Sequence, residues 1–148
     1  MTAPKEIPEY RAHSAAANIR RERAYLFVYG TLMRGQRSHQ ELVRKRDARF
    51  AGAAKIQGEL YKFRNVNYPG AVPTARPDSF VHGQLYVLRN PERTLQALDE
   101  FEGCGEGLFR RSFVNVWTQR RTVKAWTYFY ARPLQQADLV PSGRHEST

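Results

Sequence analysis

Apolar and polar positions fall into short blocks along the chain, and the breaks between blocks outline its elements. Tyr25 to Tyr29, "YLFVY", is apolar without interruption, the pattern of a strand covered on both faces and central in its sheet. It ends in "GTLMRG", a turn with glycines at 30 and 35. A polar, helix-like segment follows, in which Ser38 can cap "HQELVRK" and Glu41 takes the capping-box position. Residues 48–63, "ARFAGAAKIQGELYKF", read as extended chain broken at Gly52 and Gly58, and "VNYPGAVPT" reads as a Pro/Gly loop. "FVHGQLYVL" at 80–88 is a further strand, and "FRRSFVNVW" (109–117) with "VKAWTYFYA" (123–131) reads as a hairpin joined by "TQRRT". The pattern predicts an α+β fold: one small domain with a curved or barrel-like β-sheet and a few short helices. Its bounds are residues 24–132, between a polar arm at 1–23 and a polar tail at 133–148.

The clearest helix starts at Asn90, a good N-cap, with Pro91 at the first helical position. "ERTLQALDEF" continues it, and Gly103 is placed to end it. On a wheel of about 100° per residue, Thr94, Leu95, Leu98 and Phe101 gather into a stripe that should face the core. Glu100 falls nearly opposite, Glu92 on a flank and Asp99 on the edge. Glu102 follows Leu98 by four residues and Leu95 by seven, so a carboxylate sits on the apolar stripe in the last turn. Burial and the negative helix end both favour its protonated form, which is the tuning a general base near neutral pH needs. An ion pair with Arg110 or Arg111, or exposure in a fraying last turn, are the structural readings of the same residue.

Composition narrows the function. The net charge of +10 suits a nucleic-acid-binding surface, but no zinc finger, GXXG loop or RRM aromatic pair accompanies it. A basic surface also attracts acidic substrates. The one cysteine, Cys104, cannot form an intramolecular disulfide, and it reads as an incidental loop residue. The four histidines, His13, His39, His82 and His145, lack metal-binding spacing and read as surface or loop residues, so no metal is expected. No apolar run is long enough to cross a membrane. Residues 1–23 are charged throughout and lack the apolar core of a secretory signal, which makes a cytoplasmic location the expectation.

The turn after the first strand is neither a Walker A loop nor GxGxxG, since Gly30 and Gly35 are five apart and no GK[ST] follows. Gly30 still allows close backbone approach to a ligand, and successive N–H groups there can form an anion nest. "VYGTLMRG", "NYPGAV", "LDEFEG", the aromatic-Arg-Arg segment and the closing aromatic strand occur in order over about residues 25–131. Together they resemble the γ-glutamylcyclotransferase-like superfamily, in its short branch with γ-glutamylamine cyclotransferase. The resemblance implies a small α/β domain with a mixed, barrel-like sheet and its pocket at the end of the first strand. It implies that the "YGTL" loop, here Tyr29, Gly30, Thr31 and Leu32, holds the α-amino and α-carboxylate end of a γ-glutamyl group. It implies that the glutamate closing "LDxxE", here Glu102, accepts and later donates the proton. The products are 5-oxoproline and an amine or amino acid, and no cofactor is required.

This chain departs from the family where Tyr-x-Arg is common: it has Phe109, Arg110 and Arg111. Tyr128 and Tyr130, alternate residues on one strand face, are the candidates to supply the missing hydroxyl, or else they pack in the core. Two other readings stay open on sequence alone. One is a binding module of the same fold that holds a small amino-acid-like ligand without turnover. The other, weaker, is a basic nucleic-acid-binding domain. The leaving group and the oligomeric state are not encoded in any motif.

Overall fold

The computed structural model describes residues 24–30 and 47–145. The arm at 1–23, Thr31, Leu32 and the helix expected around Ser38 and Glu41 lie outside the described residues. Strands β1 (Ala24–Val28), β2 (Ala48–Gln57), β5 (Phe80–Leu88), β6 (Phe109–Trp117) and β7 (Thr122–Tyr130) form a closed barrel in the order β1-β5-β2-β6-β7. Its pairings are antiparallel except the seam between β1 and β7, which is parallel and registers Leu26 with Trp126. Strands β3 (Glu59–Phe63), β4 (Pro69–Val72) and β8 (Ala137–Leu139) form a second sheet in the order β4-β3-β8. The helix α1 (Pro91–Phe101) joins β5 to the β6–β7 hairpin.

The uninterrupted apolar block becomes β1 because both of its faces are covered: Leu26 and Phe27 are fully buried, and Val28 nearly so. Each removes enough apolar surface from water to contribute about 2 kcal/mol. The glycine breaks at 52 and 58 sit where the chain needs them. Gly52 has a φ of 118° beside a register shift between Phe50 and Gly52, which bends β2 around the barrel. Gly58 passes the chain from one sheet to the other; its N–H donates to the Ser79 carbonyl (3.0 Å), and its carbonyl accepts from Ser79 Oγ (2.8 Å). In the hairpin turn, Thr118 Oγ1 accepts the N–H groups of Arg120 and Arg121 and donates to the Arg121 carbonyl.

Four expectations need correction. Residues 69–72, read as loop, are the edge strand β4, in which Pro69 is tolerated because an edge position needs no second ladder bond. Part of the supposed tail at 133–148 is β8, which pairs with the other edge of β3, and Val140 N–H donates to the Leu60 carbonyl at 2.8 Å. Asn90 is the N-cap residue, but only its backbone carbonyl acts, accepting from Thr94 N–H at 2.9 Å; its side chain makes no capping bond. Phe101 is 41 % exposed. On the wheel it stands about 75° from the centre of the stripe that Thr94, Leu95, Leu98 and Glu102 define.

At Gly83, the strand β5 passes so close to the end of β1 that a Cβ would overlap the Val28 carbonyl oxygen and lie 2.9 Å from the Tyr29 Cα. Backbone on that side cannot yield as a side chain could. Gly83→Ala is therefore expected to lower unfolding free energy by about 3 kcal/mol, read as a shift in the urea midpoint; an unchanged midpoint would show that the seam has slack.

Candidate active site

The end of β1, the strand β4 and the C-terminal end of α1 converge. Glu102, the C-cap of α1, has no exposed surface, and its N–H continues the helix ladder to the Leu98 carbonyl at 2.8 Å. The wheel had placed it on the buried stripe, and its neighbours Thr94, Leu95 and Leu98 are buried with it. Gly103 follows with φ 71°, the left-handed conformation that releases the chain from the helix.

Tyr29 stands at the other side of this convergence. Its hydroxyl donates to the Tyr128 carbonyl at 2.7 Å and accepts the Ala71 N–H at 3.1 Å, both buried. Burial pushes the Tyr29 hydroxyl well above the usual tyrosine value; the Ala71 bond partly offsets this, and the charge of the nearby Glu102 adds to it. The side chain is thus committed to holding β1, β4 and β7 together, and what it offers a ligand is the backbone of the loop that leaves it. Gly30, the next residue, lies close to two neighbours. A Cβ there would stand 3.0 Å from Pro69 Cγ and 3.5 Å from His145 Cδ2. The structure so brings together Tyr29, Gly30 and the "NYPGAV" segment, a contact between motifs 40 residues apart that neither motif announces.

A second group sits on the outer side of α1. Asp99 Oδ1 accepts from Tyr128 Oη at 2.7 Å and from Arg111 Nε at 2.9 Å, and the Arg111 guanidinium lies 4.5 Å from the centre of the Trp126 ring. Arg111, one of the two partners open to Glu102 on sequence, therefore pairs with Asp99 instead, and Arg110 is exposed. Burial foremost, then the bond to Asp99, drives the Tyr128 hydroxyl far above the usual tyrosine value. Tyr128 is fully buried and spends its hydroxyl on Asp99, so it does not replace the missing tyrosine as a free donor. Phe109, at that position, is buried among Tyr68 and Tyr130 with ring centres 6.0 and 5.7 Å away. Sequence reasoning missed this group, although Arg111 alternates with Phe109 and Asp99 lies on the wheel's edge. Burial and then the Asp99 charge push the Cys104 thiol up, the opposite of what a nucleophilic thiolate needs.

Comparison with known proteins shows the family and the fold. Residues 26–147 match the family described as gamma-glutamyl cyclotransferase, AIG2-like. The gamma-glutamylcyclotransferase family protein YtfP of Escherichia coli K12 is 33% identical over 119 residues, covering 80% of this chain and 92% of that protein. The gamma-L-glutamyl-butirosin B gamma-glutamyl cyclotransferase of Niallia circulans is 34% identical over 112 residues, 72% of this chain and 67% of that one. The crystal structure of an AIG2-like protein from Mus musculus superposes with a TM-score of 0.60 at 27% identity, covering 74% of this chain and 78% of that one.

The two tyrosines make the site's stability sensitive to alkali. Folded Tyr29 and Tyr128 keep their protons at a pH where unfolded tyrosine, with its value near about 10, loses them. The native state then binds more protons than the unfolded state, so the stability present below about pH 10 is lost as pH rises, at about 1.4 kcal/mol per pH unit for each tyrosine. Denaturant titrations between neutral pH and pH 11 should show this slope, and Tyr128→Phe should remove one tyrosine's share of it. An identical slope in the variant would contradict the assignment.

Proposed function

The chain belongs to the gamma-glutamyl cyclotransferase, AIG2-like family, and on that premise we propose that it is an enzyme that cyclises a γ-glutamyl group to 5-oxoproline and releases an amine or amino acid. The observation that carries the reading is the fully buried Glu102 closing α1, within electrostatic reach of Tyr29 at the mouth of the glycine loop. Fully buried carboxylates are uncommon and cluster at functional sites.

The reaction asks little of the protein because the substrate contains its own nucleophile. The α-nitrogen forms a bond to the γ-carbonyl carbon and closes a five-membered lactam, while the bond from that carbon to the leaving nitrogen breaks. Glu102 takes the proton that the α-nitrogen sheds and passes it to the departing nitrogen, so the carboxylate ends as it began. Ring closure within one molecule gains a large effective concentration if the chain is held bent. The loop running from Tyr29 through Gly30 to Thr31 and Leu32 would hold it, its N–H groups meeting the α-carboxylate or the developing oxyanion. Tyr29 contributes by fixing where that loop starts, since its hydroxyl is already bonded to Tyr128 and Ala71. The substrate is a small γ-glutamyl compound. Among the described residues, no helix is long and apolar enough to cross a membrane; a cytoplasmic location is part of the proposal.

The test is 5-oxoproline release from a panel of γ-glutamyl amines and dipeptides by wild type and Glu102→Gln. Wild type should release it, and the variant should lose about 10³-fold in kcat with its fold intact by circular dichroism. Equal release by both would remove Glu102 as the base. Saturable binding with no release from any panel member would make the protein a binder rather than an enzyme.

A further inference from the structure

The C-terminal segment read as a tail ends beside the glycine loop. After β8, Val140 N–H donates to the Leu60 carbonyl (2.8 Å), Gly143 N–H to the Val140 carbonyl (3.0 Å) and His82 N–H to the Gly143 carbonyl (2.8 Å). Gly143 is buried at φ 68°, and a Cβ on it would overlap the Phe80 carbonyl oxygen. This backbone strap is therefore pinned to the start of β5, and two residues later it delivers His145 against Gly30.

The His145 ring is half-buried, and neither of its nitrogens makes a hydrogen bond to a described residue. Burial pulls its pKa below the usual histidine value, so the ring is neutral at pH 7, with one nitrogen a donor and the other an acceptor. Cδ2, the ring atom nearest Gly30, is bonded to Nε2. A half-buried imidazole whose nitrogens make no hydrogen bond to a described residue thus borders Gly30, where a Cβ would be crowded by Pro69.

We propose that His145 is a substrate-contacting residue, whose Nε2–H donates to the carboxylate end of a γ-glutamyl group seated at the backbone of Gly30. This rests on the proposed function and adds to it a residue from outside the glycine loop and the helix end. The other neighbour that a Cβ on Gly30 would meet, Pro69, offers only carbon, so the polar contact comes from the strap. The strap's three backbone bonds and the left-handed turn at Gly143 hold that donor in place.

The experiment has a kinetic and a spectroscopic arm. In His145→Ala, KM for γ-glutamyl-alanine should rise about tenfold, the loss of a hydrogen bond to a charged group, while kcat changes less than about threefold, because the contact is made in ground and transition states alike. His145→Gln, which keeps an N–H donor, should return KM to within about threefold of wild type. An unchanged KM in His145→Ala, or equal losses in both variants, would overturn the assignment and leave the ring as packing. In the second arm, the imidazole ¹⁵N resonances of His145 are followed while γ-glutamyl-alanine is added to Glu102→Gln protein, with His82 as internal reference. A saturable His145 shift with His82 unmoved supports the contact. Saturable shifts elsewhere with His145 unmoved overturn the inference and spare the proposed function. No saturable shift at any site counts against that function and takes the inference with it.

Discussion

The Tyr29 hydroxyl is the constraint on which the rest of the site depends. It joins a carbonyl of the barrel strand β7 to an N–H of β4 in the second sheet, and it does so from the last residue before the glycine loop. Both partners are buried, so losing the hydroxyl would strand a donor and an acceptor away from water at a cost of about 1–3 kcal/mol each. The same bond fixes where the loop leaves β1 and how near the "NYPGAV" segment comes to it. Fold and candidate site are in this sense a single piece of geometry: the bond that docks the two sheets also sets where the glycine loop begins.

Asp99 plays the matching part on the helix side. By accepting from Tyr128 and Arg111 together it fastens α1 to the β6–β7 hairpin one turn before Glu102. A helix end carrying a buried carboxylate is prone to fray, because its last carbonyls and the charge share one sign. Anchoring Asp99 resists that fraying. It also accounts for Phe109: with Tyr128 and Arg111 already engaged around Asp99, the position packs as apolar wall against Tyr68 and Tyr130 rather than extending the polar network.

What the sequence made legible was whatever side-chain pattern encodes. β1, the breaks at Gly52 and Gly58, β5, the hairpin and the helix around Glu102 all follow from apolar spacing, turn residues and caps, and the structure has each of them. β4 and β8 were illegible because they owe their place to backbone pairing with β3, which any short sequence can offer at a sheet edge. The barrel seam, the Tyr29 bonds and the Asp99 group join residues between 12 and 100 positions apart, and no local period records such partners. Of the candidate site, Glu102 was marked by the wheel alone and Gly30 by its turn. His145 was not marked, because its position follows from a strap whose backbone, not its side chains, is fixed.

The parallel seam between β1 and β7 has a consequence for how the protein comes into being. β1 is the first described strand and β7 nearly the last, and the seam closes only when residues about a hundred positions apart meet, as Thr127 Oγ1 does with the Phe27 carbonyl. Such nonlocal closure forfeits much chain entropy before any contact repays it, which makes folding slow. During synthesis the apolar face of β1 must wait uncovered until the hairpin emerges, an interval in which association with other chains competes with closure. Barrel and site therefore assemble together, at the end, when β7 reaches Tyr29.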